Sequence, residues 1–551
     1  MLHFPIEDHS ILDFHNPPDA YFNNLPVRLR DAKTSFNSNV HCVGETHDPD
    51  TAWKHRSCSY VHLCLDMAGD SKAPEFFLVA SNSESEFHKR FRDDGAQSGH
   101  AQYRFSSTEM KEITNYQNST TIKSSPIDVA LGGINPNWKA PPKPRVPYQH
   151  GIDKIKWAPK IYNKFPSEKY YELDPNIVMI PFHSFAAANV GHLLWDDFLP
   201  IYNLLRIFGY EKNAHTTQTT AGADDKEHYG SHFQHLLIRV DTLPSLFGTC
   251  DLRPKRKEAC KQNLERFLPL FGVDPDTLST LTETKLTQSK GTDTSKRPSV
   301  PKTYPVCAKH GVAGLGWLTD HGMRNHGWMA KNEENSLDIA LAQNVGRGPE
   351  LYAFRNFLLR NLGMETRHEL PRLGFSHNIH FRILLSAHSS NHPDRSFGLL
   401  AQQTALAKAF PQADIAILEL SKISLLEQIA LISDQPSKES GNNLRSSSSY
   451  NNRNRQHTIF ISACGGGSFT SYFLPRGSSL IFYYNEAGGM DYFNNEQKTG
   501  GPALLDWDLM NNLGYLRVHW LPIGAMDEEE GLNALVALVQ YEMDGVLNEF
   551  G

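Results

Sequence analysis

The chain has 551 residues, of which 39% are hydrophobic and 21% are charged, and its formal net charge at pH 7 is -7. This length is enough for two or three domains. The negative balance argues against a nucleic-acid partner, because a protein that tracks phosphates needs a basic surface. No run approaches the roughly 20 apolar residues of a membrane span, so membrane association would require a segment that is not visible in this chain.

The N-terminal sequence and the cysteines say little about the compartment. The opening stretch "MLHFPIEDHSILDFHNPP" has no basic region followed by an apolar core, so no signal peptide is expected in it. None of the seven cysteines forms a CxxC pair, which argues against a structural zinc site. Cys58 and Cys64 are predicted either to close a small disulfide loop or to be two buried free thiols.

The first half of the chain contains two clear strand patterns, at residues 75–81 and 176–185. The second is followed by a helical pattern, "NVGHLLWDDFLPIYNLL", at residues 189–205. Three polar stretches lack apolar periodicity and are predicted to be insertions on a folded scaffold, at residues 211–230, 279–302 and 433–457.

In the second half, apolar strand patterns alternate with helical ones from "HFRILLSAH" to "SSLIFYY". This alternation predicts a parallel sheet that is covered on both faces. Ser424 and Glu427 have the spacing of a capping box, which predicts a helix start. The fold class is therefore predicted to be α/β. We expect an N-terminal domain at 1–365, a C-terminal domain at 366–525 and a C-terminal helix at 526–551, with the division near residues 364–374.

The helical pattern at 189–205 carries polar residues in an apolar run. His192 and Asp196 are four residues apart, so they lie on one face of an α-helix. An aspartate there can orient a histidine that acts as a general base. Two metal ligands would have the same spacing, although no third ligand follows. In the structural alternative, Asp196 and Asp197 are solvated near the helix start and His192 is satisfied in the core.

Two segments of the second half could bind an anion. A strand pattern runs into Gly465, Gly466 and Gly467, followed by Ser468 and a helical pattern, so backbone N–H groups there can approach a phosphate. An earlier strand leads into a loop with Arg395, whose guanidinium suits a diphosphate. In the structural alternatives, the glycine segment is a tight strand-to-helix turn without a ligand, and the segment with Arg395 is an ordinary exposed loop.

These motifs together resemble glycosyltransferase family 61. This family includes plant xylan xylosyl- and arabinosyltransferases and animal enzymes that add O-linked N-acetylglucosamine. Its pattern N-x-x-H-x-x-x-D-D-x-L-P is similar to the segment from Asn189 through His192, Asp196 and Asp197 to Pro200. Further similar features follow in order over residues 58–484: Arg395 after a strand, "EQI" at Glu427, a glycine-rich turn and "FLPRGS".

The resemblance implies a GT-B-like fold, in which two Rossmann-like domains face each other across a cleft. It also implies an inverting, metal-independent hexosyl- or pentosyltransferase that acts in the Golgi or another part of the secretory lumen. The resemblance implies a nucleotide-diphosphate sugar, UDP-linked, as the donor and a hydroxyl of a glycan or glycoprotein as the acceptor; no cofactor is expected. Two departures mark a divergent member: Cys464 stands in place of the histidine of the family's glycine turn, and His388 in place of a more usual arginine.

Site roles follow from combining these observations. His192 or Asp196 would take the acceptor's proton, while Asn189 and Asp197 would be acceptor-side or structural residues. The residues expected to bind the nucleotide-sugar are Arg395, Gly465, Gly466, Gly467, Ser468 and Glu427. The Arg395 side chain and the backbone N–H groups of Gly466, Gly467 and Ser468 would stabilise the leaving diphosphate. Two other interpretations are a hydrolase that uses a serine or Cys464 at the strand-to-helix turn as nucleophile, which lacks the G-x-S-x-G elbow, and a non-catalytic nucleotide- or carbohydrate-binding protein.

Overall fold

The structure is a computed structural model of the chain. It describes residues 27–32, 37–44, 56–66, 75–79, 102–104, 127–131, 156–182, 190–211, 233–239, 258, 262–263, 266–271, 304–314, 348–362, 364, 379–387, 398–433, 456–463, 466–484, 490–491, 496–497, 510, 513–524 and 526–550. The three predicted insertions lie almost wholly outside these residues. The last one was predicted two residues too long, because Gln456 and His457 already belong to a strand.

Twelve described strands precede residue 365. They are β1 (Val27–Asp31), β2 (Asn39–Gly44), β3 (Arg56–Asp66), β4 (Glu75–Val79), β5 (Gln102–Arg104), β6 (Val129–Ala130), β7 (Lys156–Trp157), β8 (Lys160–Tyr162), β9 (Lys169–Leu173), β10 (Ile177–Phe182), β11 (Gln234–Arg239) and β12 (Val306–Gly314). Ten of them form a first sheet in which β1, β9, β12, β3, β2 and β5 are successive neighbours. β10 and β11 extend this sheet from β12, β4 and β8 extend it from β3, and β6 pairs with β7 separately.

The predicted strand and helix at 176–205 form a βαβ unit. All six residues of β10 are buried, and β10 pairs in parallel with β11. Helix α1 (residues 190–207) connects these two strands, as a parallel pair requires. The rest of the first sheet is mixed, with antiparallel pairs such as β2–β3 and β3–β12. The expectation of a Rossmann-like N-terminal domain is therefore wrong in strand direction, because antiparallel pairs occur in this sheet beside parallel ones such as β10–β11, β9–β12 and β4–β8.

The second sheet is parallel, as predicted. Its strands are β13 (His380–Ser386), β14 (Asp414–Leu418), β15 (Gln456–Ala463), β16 (Ser479–Tyr484) and β19 (Arg517–Pro522), in the spatial order β14-β13-β15-β16-β19. Two short strands, β17 (Met490–Asp491) and β18 (Glu496–Gln497), pair with each other. If these five strands are numbered along the chain, their order across the sheet is 2-1-3-4-5, one of the common orders of doubly wound folds.

Helices cover both faces of the second sheet. The α-helices of this region are α2 (Gly348–Asn361), α3 (Leu400–Ala409), α4 (Leu425–Ile432) and α5 (Glu529–Phe550). A 3-10 helix at Gly466–Phe473, which we call the glycine-turn helix, lies between β15 and β16. On one face, side chains of α3 and α5 share a buried core with alternate residues of β13, β15 and β16. On the other face, α4 and the glycine-turn helix pack against the remaining residues of these strands. The long C-terminal helix predicted at 526–551 is thus confirmed.

One hydrophobic core spans both halves of the chain. It contains Ile180 of β10, Leu204 of α1, Phe354 of α2, Phe460 of β15 and Phe482 of β16, all at most 2% exposed. The predicted domain boundary falls within residues 365–378, outside the described residues. The strands of the first sheet all precede it and those of the second all follow it, but the two sheets share this core through α1 and α2.

Two disulfides connect neighbouring strands of the first sheet. Cys42 of β2 is bonded to Cys58 of β3, and Cys64 of β3 is bonded to Cys307 of β12. In each case the two cysteines stand directly opposite each other in an antiparallel pair. Both predictions for Cys58 and Cys64 are therefore wrong. The two residues belong to one extended strand, and six residues at about 3.3 Å each separate them by about 20 Å, too far for a disulfide.

Candidate functional site

Helix α1 carries the predicted catalytic motif in an irregular backbone. It is α-helical at Val190–His192, a π-helix at Leu193–Phe198 and α-helical again at Leu199–Ile207. Pro200 has no N–H, so the carbonyl of Asp196 loses the donor that an α-helix would supply. Bonds from residue i to i+5 widen the preceding turn, and such segments occur frequently at functional sites. The sequence predicted the helix but not this distortion.

The described part of the chain places the backbone of His192 and Asp196 in this distorted segment. Their side chains and the whole of Asn189 lie outside the described residues, so the predicted base pair stays a prediction. Asp197 is described and is 0% exposed. The interpretation of Asp197 as a solvated residue is therefore wrong. A buried carboxylate needs hydrogen bonds or a charge partner, and Asp197 does have polar partners.

The two predicted donor segments follow neighbouring strands of the second sheet. Ser386, the last residue of β13, is paired with Ser462 near the end of β15, so both strands finish at the same edge. The segment with Arg395 follows β13, and Gly465 follows β15; both residues lie outside the described residues. Gly466, Gly467 and Ser468 form the first turn of the glycine-turn helix. Backbone N–H groups in a first helical turn have no intrahelical acceptor.

This edge is the point where the strand order reverses. From β13 the chain passes through α3 to β14 on one side, and from β15 it passes through the glycine-turn helix to β16 on the other. Helices that leave in opposite directions open a crevice at the carboxyl ends of these strands, where open α/β sheets bind their ligands. The sequence motifs at Arg395 and Gly465 could be found without this order, but their adjacency depends on it.

Glu427 has a local structural role at the start of α4. Its carboxylate accepts a hydrogen bond from the backbone N–H of Ser424 at 2.9 Å, and the Ser424 hydroxyl accepts one from the N–H of Glu427 at 3.2 Å. The predicted capping box is thus confirmed. The adjacent Gln428 is buried and donates to the carbonyls of Leu420 and Ile423, which fixes the turn before α4. Donor binding by Glu427 stays a prediction.

The structure brings together the motifs of the two halves. Cα atoms of Val190–His192 lie within 8 Å of Cα atoms of the glycine-turn helix. The start of α1 and the glycine-turn helix are therefore neighbours, although about 270 residues separate them in the chain.

A group of buried aromatic and cationic residues beside this site was missed from the sequence. Arg355 of α2 is 0% exposed, and it lies among Tyr352, Tyr472 and Tyr515. A signal was present, because Arg355 interrupts the apolar pattern "LYAFRNFLL". An arginine on the apolar face of a helix usually indicates a buried polar contact.

One buried histidine lies at the opposite end of α1. The Nε2 atom of His235 in β11 is 2.6 Å from the carbonyl oxygen of Tyr210, which follows α1. Burial lowers the pKa of His235 to about 4, so this side chain is neutral at pH 7 and donates to that carbonyl. Because it stands at the amino end of β11, it supports α1 from the side remote from the crevice.

Comparisons with known proteins do not identify the chain. No known family model matches it, and no curated protein sequence matches it. Among the helices that the structure describes, none combines the length and hydrophobicity needed to cross a membrane. The described residues also contain no group of three or more His, Cys, Asp or Glu side chains that could hold a metal ion. Any assignment of function therefore depends on the residues and geometry of the site.

Proposed function

We propose that the chain is a glycosyltransferase that moves a sugar from a nucleotide-diphosphate donor, UDP-linked by the family resemblance, to a hydroxyl of a glycan or glycoprotein. One observation carries this proposal. The two segments expected to bind the donor follow the neighbouring strands β13 and β15 at the reversal point of a parallel sheet, and the start of α1 lies beside the glycine-turn helix that follows β15. This arrangement suits a reaction that joins a diphosphate site to a base.

The proposed mechanism divides the work between the two halves. On the donor side, Arg395 and the backbone N–H groups of Gly466, Gly467 and Ser468 stabilise the charge that develops on the leaving diphosphate. On the acceptor side, His192 or Asp196 removes the proton of the attacking hydroxyl, and the other residue orients it. The hydroxyl oxygen attacks the anomeric carbon as the bond to the diphosphate breaks, which inverts the configuration. No metal ion is assigned a role.

The fold and the compartment belong to the same proposal. A GT-B-like arrangement is supported by the doubly wound second sheet, whereas the mixed first sheet departs from it. Work in the Golgi or another secretory compartment is supported by the two disulfides, because disulfides persist in oxidising environments.

Nucleotide binding at the crevice tests the proposal. We expect calorimetric titration with UDP, GDP and CMP, in the absence of metal, to show binding of one nucleotide, and Arg395→Ala to weaken it by about 10-fold or more. Lys408→Ala is the matched control, because it removes a cation from the exposed end of α3 that is remote from the crevice. Binding of no nucleotide by folded protein, or equal binding by Arg395→Ala, would contradict the assignment.

A second candidate is a non-catalytic nucleotide- or carbohydrate-binding protein with the same fold. The observation that favours it is Cys464, which stands where the resembling family has a histidine. Both candidates predict binding at the crevice, so donor turnover distinguishes them.

A further inference from the structure

The far end of the glycine-turn helix is held by a residue of the first half of the chain. Arg355 lies in α2, before the predicted domain boundary, and its Nη2 donates to the carbonyl oxygen of Phe473 at 2.9 Å. Phe473 is the last residue of the glycine-turn helix. The carbonyl groups in the last turn of a helix have no donor within the helix. A charged donor in a buried setting makes a stronger hydrogen bond than a neutral one.

Aromatic residues fix the guanidinium in place. The Arg355 Cζ atom is 5.8 Å from the ring centroids of both Tyr352 and Tyr515, within the range of a cation–π contact. The Tyr515 hydroxyl donates to the carbonyl of Tyr472 at 2.6 Å, and the Tyr472 hydroxyl donates to the carbonyl of Leu351 in α2. Burial raises the pKa of Tyr472 well above its ordinary value, so its hydroxyl keeps the proton that it donates.

Helix α2 is in turn attached to α1. The Tyr202 ring of α1 packs against Phe354 and Phe357 of α2, with ring centroids 5.2 and 5.0 Å apart. Arg206 of α1 forms an ion pair with Glu350 of α2. The two helices that carry these contacts therefore form one packed layer, and the glycine-turn helix rests on it through both Val190–His192 and Arg355.

From this geometry we infer that Arg355 is a positioning residue that couples the glycine turn to the first half of the chain. Through Phe473 it fixes the axis of the glycine-turn helix, and thereby the direction of the Gly466–Ser468 N–H groups at the crevice. The importance of this coupling for ligand binding rests on the proposed function. The anchoring of the helix does not, because it follows from the contacts of Arg355 alone.

The test compares Arg355→Met with Arg355→Lys in the full chain. We expect Arg355→Met to accelerate amide hydrogen exchange in peptides covering 466–473 by about 10-fold or more, while peptides covering β13 keep their protection. We also expect it to weaken binding of the nucleotide that the wild type selects by about 10-fold. Arg355→Lys keeps a charged donor, so we expect smaller changes in both exchange and nucleotide affinity than in Arg355→Met.

Two further variants separate positioning from general stability. Val539→Ala removes buried volume from the opposite face of the second sheet, so it lowers the melting temperature without changing exchange at 466–473. Tyr515→Phe removes the hydroxyl that donates to Tyr472 at the same end of the glycine-turn helix; we expect the same local increase in exchange, at smaller amplitude.

The outcomes distinguish this inference from the proposed function. Unchanged exchange at 466–473 in folded Arg355→Met, or in Arg355→Lys if the former does not fold, overturns the positioning role. Unchanged nucleotide affinity in a variant with accelerated exchange overturns the coupling to the ligand site. If the wild type binds no nucleotide, the proposed function fails, and the exchange measurement still decides whether Arg355 anchors the helix.

Discussion

The two adjacent aspartates of α1 have different expected roles. Asp197 is completely buried and has polar partners, as a structural carboxylate requires. Asp196 occupies the preceding position of the π-helical segment. The proposed mechanism makes it act with His192 in removing the acceptor's proton. Substitution by the isosteric asparagine removes the charge with little change in volume, so it separates these roles.

Asp196→Asn is expected to reduce sugar transfer by about 100-fold or more, because a positioned general base contributes a factor of at least this size. Its free energy of unfolding should stay close to that of the wild type. Asp197→Asn should instead lower the free energy of unfolding by about 1–3 kcal/mol, because a completely buried carboxylate depends on its polar interactions. Denaturant titration and transfer rates of both variants provide the comparison, and full transfer by Asp196→Asn would remove it from the mechanism.

His235 gives the folded state a specific sensitivity to acid. Its pKa is lowered from 6.5 to about 4 by burial, so between these values the unfolded chain binds more protons than the folded chain. The stability contribution is therefore fully present above pH 6.5 and is lost as the pH falls towards 4. The difference corresponds to about 3 kcal/mol.

Replacing this histidine tests the origin of the acid sensitivity. His235→Gln should flatten the fall in unfolding free energy between pH 6.5 and 4, as measured by urea titration. His380→Gln is the matched control, because His380 is half exposed and pairs with Asp414 at the edge of the second sheet. An unchanged slope in His235→Gln would show that other groups dominate this pH range.

At the scale of single elements, the capping box of α4 separates a structural role from a binding role. Ser424→Ala removes the side-chain acceptor, so we expect a loss of about 1 kcal/mol of stability with unchanged nucleotide affinity. Glu427→Gln keeps an amide oxygen that can cap the helix but removes the charge. If Glu427 contacts the donor, this variant changes nucleotide affinity at nearly constant stability; unchanged affinity would assign Glu427 to the helix cap alone.

The elements of the second half could be predicted from the sequence because they obey local rules. Strands such as β13 and β15 are short apolar runs, and their alternation with helices indicates parallel pairing. The Ser424–Glu427 spacing fixed the start of α4 for the same reason. Strand order, in contrast, depends on contacts between distant segments, so the meeting of the β13 and β15 ends at the reversal point could not be read from local patterns.

The first half was less predictable for identifiable physical reasons. Cross-strand disulfides depend on register, and Cys42 and Cys307 are far from their partners in sequence. The π-helical segment of α1 results from Pro200 acting on a helix that is otherwise regular. Arg355 reaches Phe473 across 118 residues, so the pattern around it predicted only an apolar helix.

At the scale of the whole molecule, the shared core implies that the two halves unfold together. α1 and α2 contribute buried residues to a core that also contains β15 and β16, so neither half keeps its packing alone. We expect a single thermal transition for the full chain in calorimetry. Two separated transitions would show that the halves are independent domains.

The two disulfides should contribute unequally to this stability. Cys64–Cys307 closes a loop with a sequence separation of 243 and Cys42–Cys58 one of 16. Chain entropy predicts about 5 kcal/mol for the long loop and about 3 kcal/mol for the short one. Replacing each pair by alanines and measuring the loss of unfolding free energy tests the order; a larger loss for the short loop would contradict the entropic account.

The proposed function is transfer of a sugar from a nucleotide-diphosphate donor without a metal. The most direct measurement is release of nucleoside diphosphate from a panel of nucleotide-sugars, with mixed oligosaccharide and glycopeptide acceptors and a chelator present. The account predicts release from one class of donor that depends on an acceptor and is reduced about 100-fold or more in Asp196→Asn. Nucleotide binding without release from any donor would contradict catalysis and leave a binding protein with a transferase-like crevice.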